Sequence, residues 1–257
     1  MPTNLNLELT DLCNVKCRFC GQAETPKVHG FQANKFMKWD VWKASIDGLA
    51  DYPDEVDLCP HWLGEPTLHP EFSRFVRYAF DNNAGNRLFR HFKLHTNGTL
   101  LDDERIDTIL DCANRDDQAE DTFGFVHFSV DAYTPEVYYR LKKYDYGERV
   151  YTNIRRLIER RQERGLRWPY VTNAFIVTPE NRHEARWYLD YWTALFDRHD
   201  VEFDVVYDWP QRFADNLYYR RLHQKNQAAA DRLHREVLDE LDILPLGAQG
   251  AFIEEAF

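Results

Sequence analysis

The chain is predicted to be an α/β protein, a partial (β/α)6 TIM-like barrel with a C-terminal helical extension. Two observations predict this. Short β-branched or aromatic runs alternate six times with longer segments of helical period, the signature of β–α units on a parallel sheet. Beyond residue 211 the strand-like runs give way to polar helix. With 257 residues there is room for one large domain and a small appendage. The expected division is residues 1–210 for the barrel and 211–257 for an extension docked on it.

Each element has its own signal. The first strand reads from Asn4 to Thr10, and the helix after it starts near Trp39 with Trp42, Ile46 and Leu49 on one face. The run Glu55 to Cys59 stops at Pro60. Pro70 then opens a helix with Phe72, Phe75, Val76, Ala79 and Phe80 in one stripe. A third strand covers Leu88 to His95, and its helix begins at Asp102 or Asp103. The acidic stretch 114–123 reads as a surface loop before a fourth strand, Phe125 to Val130. Val150, Ile154, Leu157 and Ile158 mark the next helix, which Gly165 ends. Strands at Tyr170 to Val177 and Glu202 to Tyr207 flank a helix from Glu184 to Phe196. In the extension, Leu233, Val237 and Leu241 are spaced for docking.

Bulk properties narrow the function. A net charge of −11 repels phosphate backbones, so nucleic-acid binding is disfavoured. No run of about 18 apolar residues offers a membrane span, and a strand-like run by Leu5 leaves no room for a signal peptide. Five cysteines, three of them within eight positions, fit a reducing, cytoplasmic setting and a metal site better than a disulfide framework.

Those three form Cys13-Asn-Val-Lys-Cys17-Arg-Phe-Cys20, directly after the first strand. A structural zinc wants four ligands, usually from paired C-x2-C sets, and only one such pair exists here. A zinc site completed by a distant histidine stays open as an alternative. An iron–sulfur cube takes four cysteines, so three would leave one iron free for chemistry.

The segment LELTDLCNVKCRFC, with Phe19 just before the third cysteine, resembles the signature of the radical S-adenosylmethionine (SAM) superfamily. Further segments match in order: Gly64-Glu65-Pro66 after the second strand, Thr96-Asn97-Gly98 after the third, and Ser129-Val130-Asp131-Ala132 followed by Thr134-Pro135-Glu136 and Arg140. Asn173 to Asn181 resembles the fifth-strand region. Leu63 stands where the family often has glycine. The likeness spans about residues 4–208 and is nearest the subgroup that often carries a SPASM or twitch extension.

The resemblance implies a [4Fe-4S] cluster on Cys13, Cys17 and Cys20, with SAM on the open iron. It also implies reductive cleavage to a 5′-deoxyadenosyl radical and hydrogen abstraction from a substrate. Gly64 would let backbone approach the SAM amino group, and Glu65 would accept its hydrogen bonds beside Pro66. Ser129, helped by Asn97, would bind the ribose. Asp131 is either a cofactor contact or the N-cap of the helix after Pro135. Arg140 is either the SAM carboxylate partner or a helix-surface arginine. His61, His95, Asn173, Tyr207 and Asp208 are substrate-facing candidates from their strand-end positions.

No cysteine follows Cys112, which disfavours a second cluster and tilts the expected outcome to redox-neutral epimerisation, elimination or rearrangement. The chain begins at the first strand, which favours a small polar or free peptide substrate over a leader-bound one. An electron donor such as flavodoxin or ferredoxin is implied. Two rival readings are a glycyl-radical-enzyme activase or peptide-modifying maturase with a protein partner, and a non-catalytic iron–sulfur module. A mere carrier has no use for the nucleoside-binding segments.

Overall fold

The computed structural model describes residues 3–21, 36–84, 87–209 and 213–243. The strands are β1 (Thr3–Asn6), β2 (Val56–Cys59), β3 (His91–Thr96), β4 (Phe123–Ser129), β5 (Tyr170–Ile176), β6 (Phe203–Val206) and β7 (Asp215–Arg220). The helices are α1 (Trp39–Asp47), α2 (Phe72–Asn83), α3 (Asp103–Ala113), α4 (Pro135–Lys142), α5 (Gly147–Glu163), α6 (Ala185–Arg198) and α7 (Gln227–Glu240). All strand pairs are parallel, in the order β1-β2-β3-β4-β5-β7-β6. This is the expected open α/β barrel, with one more strand than the sequence suggested.

That seventh strand lies where helix was expected. It inserts between β5 and β6, so the sixth strand becomes the edge. The reason is the two-faced environment of residues 215–220. Leu217 and Tyr219 point to the helices and are fully buried, while Asn216, Tyr218 and Arg220 alternate toward the lumen. A buried bidentate ion pair pins its start. Arg161 on α5 donates to both Asp215 oxygens (2.9 and 3.1 Å), and Asp215 also accepts from the Val171 amide at 2.8 Å.

The remaining elements follow local rules. α5 ends in the expected glycine stop: Gly165 has φ +63, its N–H donates to Gln162 O, and Leu166 N–H to Arg161 O (both 2.9 Å). β4 starts at Phe123, inside the stretch expected to be a loop, because that ring packs between Phe80 (5.6 Å) and Phe92 (5.1 Å). Leu233 and Val237 lie on α7, with Leu241 at its C-cap, and Val237 and Leu238 are fully buried. Arg182 braces α7 through Glu236 (3.0 Å) and Glu240 (2.6 Å). Residues 244–257 of the expected extension lie outside the described residues. Among the described residues, no helix is long and apolar enough to cross a membrane.

The apolar core sits between the sheet's outer face and the helices. The inner face is polar: Asn6, Glu8, Asp57, His91, Lys93, His95, His127 and Thr172 alternate inward by the ladder register. Every strand's carboxyl end meets one rim, and there the motif residues gather.

Candidate active site

The cysteine loop leaves β1 and is fastened on two sides. Toward β2, Glu8 accepts from the amides of Leu63 and Gly64 (2.6 Å each), and the Glu65 amide donates to Leu12 O at 2.7 Å. A Cβ on Gly64 would lie 1.9 Å from Thr10 O and 2.8 Å from Leu12 O. The glycine is therefore required by the chain leading into Cys13. Toward α4, the amides of Lys16 and Arg18 donate to the carbonyls of Lys142 and Leu141 (2.9 Å each).

Glu65 is buried and hydrogen-bonded within the protein through both oxygens. Its Oε1 accepts from the Thr67 amide (3.0 Å), the Thr67 hydroxyl (2.5 Å) and the Thr96 hydroxyl (2.7 Å). Its Oε2 accepts from the Asn97 amide at 2.6 Å. Burial pushes its carboxyl upward against these donors. The carboxylate thus clips the loop after β2, with Pro66 in the short turn it caps, to the loop after β3.

This clip aims Asn97. Its Nδ2 lies 3.8 Å from Cys13 Sγ and 2.8 Å from Asn14 Oδ1, while its Oδ1 accepts from the Thr99 hydroxyl at 2.7 Å. Asn97 therefore touches the cysteine loop, beside the ribose role expected of it. Ser129 ends β4 on the lumen face shared with Phe125 and His127.

Asp131 and Lys142 form a buried ion pair, with side chains 0% and 1% exposed. Asp131 sits at φ +66, and its other oxygen accepts from the Ile176 amide at 2.8 Å. Both oxygens are thus engaged within the protein. The N-cap of α4 is Thr134, whose hydroxyl accepts from the Val137 amide at 3.4 Å. Arg140 lies on the exposed face of α4 and is not brought to the cysteines. Lys142, two residues on, is. Burial would pull its ammonium down, but Asp131 and Cys17 outweigh this and raise it. It also stands 5.2 Å from the Phe19 ring centroid.

The thiols fit a metal cluster. None is in a disulfide. Cys13 is pushed up to about 12 by burial, then by Glu65, Cys17 and Cys20. Cys17 is pushed up by burial and drawn down by the nearby Lys142 ammonium. As free thiols they do not close into a ready ligand set: among the described residues, no three His, Cys, Asp or Glu side chains do. Thiols sharing one pocket and opposing one another's ionisation suit a cation that replaces their protons. Cys59 and Cys112, both buried, lie outside this loop.

Of the substrate-facing candidates, His61 and His95 meet in the lumen, stacked at 5.5 Å between centroids. The others turn away. Asn173 pairs with Phe128 and Leu217 in mid-strand and shares the helix-side face of Val171 and Phe175. Tyr207 packs against the core, and Asp208 is exposed. Trp209 enters instead, stacked on His95 (6.2 Å) and His127 (6.5 Å). The available signal was alternation: Ser129 on the lumen face puts His127 there too.

With this geometry in place, comparison with known proteins decides the family. Residues 7–191 match the model of the Radical SAM superfamily. The chain belongs to the radical SAM superfamily. Its class is enzymatic, and its cofactors are a [4Fe-4S] cluster and SAM.

Among curated relatives, the tungsten-containing aldehyde ferredoxin oxidoreductase cofactor-modifying protein of Pyrococcus furiosus is 28% identical over 69% of this chain and 44% of its own. GTP 3′,8-cyclase of Actinobacillus succinogenes is 24% identical over 90% of this chain and 61% of its own. The chain therefore spans less than two thirds of either relative. The solved structure of native anSMEcpe with bound AdoMet shares the fold, with TM-score 0.53, 18% identity and coverage of 86% of this chain and 51% of that one.

Proposed function

We propose that this chain reductively cleaves SAM at a [4Fe-4S] cluster held by Cys13, Cys17 and Cys20, and abstracts a hydrogen atom from a small polar or peptide substrate in the lumen. The carrying observation is the placement of the cysteine loop on the barrel rim, with Asn97 donating toward Cys13 and the Lys142 ammonium close to Cys17. When bound, the cluster supplies the electron that breaks the SAM C–S bond and so yields the 5′-deoxyadenosyl radical.

The chain's own residues hold and orient. Gly64 and the Glu65 clip fix the loop, Asn97 donates to the Cys13 sulfur, Lys142 sets a positive charge beside Cys17, and Ser129 faces the space a nucleoside would fill. The stacked imidazoles line the substrate end and help exclude water. Residues 113–257 hold no cysteine and offer no thiolate for a second cluster, in keeping with a redox-neutral outcome. A small electron donor of the flavodoxin or ferredoxin kind would reduce the cluster from outside.

The test is anaerobic reconstitution. About four irons and four sulfides per chain should bind, the stoichiometry of one cubane. Cys13→Ala, Cys17→Ala or Cys20→Ala should each abolish this, whereas Cys59→Ala and Cys112→Ala should retain it. Reductant and SAM should release 5′-deoxyadenosine. Formation of S-adenosylhomocysteine alone would overturn the reading.

A further inference from the structure

The far side of the lumen carries a guanidinium and a set of rings that the cysteine loop does not use. Asn216 on β7 lines a small cavity of about 20 Å³ with Phe125, His127, Thr172, Trp209 and Phe213, room for roughly one water. Tyr218, next on the same face, stands 6.4 Å from His127 and 6.1 Å from Trp209. Arg220 follows in the same alternation, at the carboxyl end of the strand.

Three of the ring pairs run nearly parallel: His61 and His95 are inclined by 21°, His95 and Trp209 by 16°, and His127 and Trp209 by 22°. His95 and His127 are tilted by 37° to one another. The imidazoles are uncharged near neutrality. Burial lowers His61 to about 4, and it lowers His127 to about 3 with help from Arg220. Neither ring nitrogen of His127 has a hydrogen-bond partner among the described residues, although the side chain is only 4% exposed. A buried polar ring left unmatched on both edges points to a missing partner.

Arg220 is the unmatched charge. Lys93, a cation on the same inner face, is paired with Asp57 at 2.6 Å. The next residue, Arg221, turns away and meets Asp231 at 3.5 Å. Among the described residues, no carboxylate lies within ion-pair distance of the half-buried Arg220 guanidinium. The ladder register puts Arg220 on the strand face that Asn216 and Tyr218 share with His127 and Thr172, and its charge helps to keep both His95 and His127 unprotonated.

We infer that Arg220 anchors an anionic group of the substrate, a carboxylate or a phosphate monoester, with His95, Trp209 and His127 forming the shelf for a planar part beside it. This rests on the function proposed above and adds the substrate's charge and shape. A guanidinium fork takes two oxygens of one oxyanion at once. The neutral imidazoles add no charge, and each gives and accepts one hydrogen bond. Since β7 lies across the sheet from β1, a substrate held there extends from the anchor toward the cysteine rim.

The test uses the anaerobically reconstituted protein, with iron and sulfide measured first. Calorimetric titration at low salt compares benzoate and phenyl phosphate with the neutral probe benzyl alcohol. At least one anion should bind tenfold or more tightly than the alcohol, and which one distinguishes carboxylate from phosphate. Arg220→Gln should weaken that anion by about tenfold or more, the loss of a charge-assisted contact. Arg220→Lys should fall between, and a melting curve for each variant reports folding. If Arg220→Gln does not fold, Arg220→Lys decides. Equal anion affinity in the folded variants, or an alcohol bound as tightly as the anions, overturns the anchor. So does a cluster-loaded wild type that binds neither anion. Failure to load the cluster would instead count against the function proposed above.

Discussion

Glu65→Gln separates two roles for one residue. The resemblance to the family assigns Glu65 to the SAM ammonium, whereas the structure closes both its oxygens inside the protein. An amide can keep its oxygen toward the three donors at Oε1, the Thr67 amide and the hydroxyls of Thr67 and Thr96. Its NH2 must then face the Asn97 amide, which now donates to Oε2 at 2.6 Å. One charge-assisted hydrogen bond becomes a donor–donor contact, a loss of about 1.5–3 kcal/mol. The smaller cost of burying a neutral amide offsets part of the lost charge assistance at the other oxygen. A net destabilisation of about 2–3 kcal/mol should lower Tm by about 4–12 °C for a chain of this size. Urea unfolding and thermal melting of wild type and variant measure this, with SAM affinity determined in parallel on cluster-loaded protein. A variant with unchanged midpoint and a SAM Kd weakened tenfold would refute the reasoning, because the carboxylate would then face the cofactor.

Three further outcomes follow from the same geometry. Gly64→Ala should lose cluster incorporation, read as iron content, because its new methyl meets the backbone of Thr10 and Leu12 rather than a side chain that can move. Lys142→Met strands the Asp131 carboxylate in the interior and should cost about 3–5 kcal/mol; adding Asp131→Leu should restore part of it in urea unfolding. For His127 the folded pKa is lowered, so the unfolded chain takes the proton first and stability falls as pH drops below 6.5. Between pH 6.5 and about 5.5 that loss is about 1 kcal/mol, and His127→Gln should remove that share of the pH slope. An unchanged slope would show that the folded ring takes its proton at the same pH as the unfolded one.

Much of the fold was legible because its outer face obeys simple periodicity. Phe72, Phe75, Val76, Ala79 and Phe80 are apolar at helical spacing and all end in the core. Residues 215–220 were not legible, because a strand lining a polar lumen carries Asp, Asn and Arg where a fully buried strand would carry aliphatics. The same fact misplaced Asn173 and Tyr207. Strand-end position suggests that a residue faces the substrate, but facing is set by odd or even register, and both residues fall on the helix side.

The site shows the complementary limit. The cysteine spacing and the Gly64-Glu65-Pro66 and Thr96-Asn97-Gly98 segments are local, so they stand out in one dimension. What those segments do is not local. Glu65 reads as a ligand contact alone, until the hydroxyls of Thr67 and Thr96 and the Asn97 amide show that it also ties two loops together. Arg140 reads as the motif's cation, yet α4 turns it to solvent and buries Lys142 two residues later, at a helix end closed by Lys143 at φ +64. A helix places neighbours two apart on different faces, so a motif that fixes an arginine's position in the chain leaves its direction open. The charge that reaches the cysteines is then decided by which residue of the last turn finds a buried counter-ion, here Asp131.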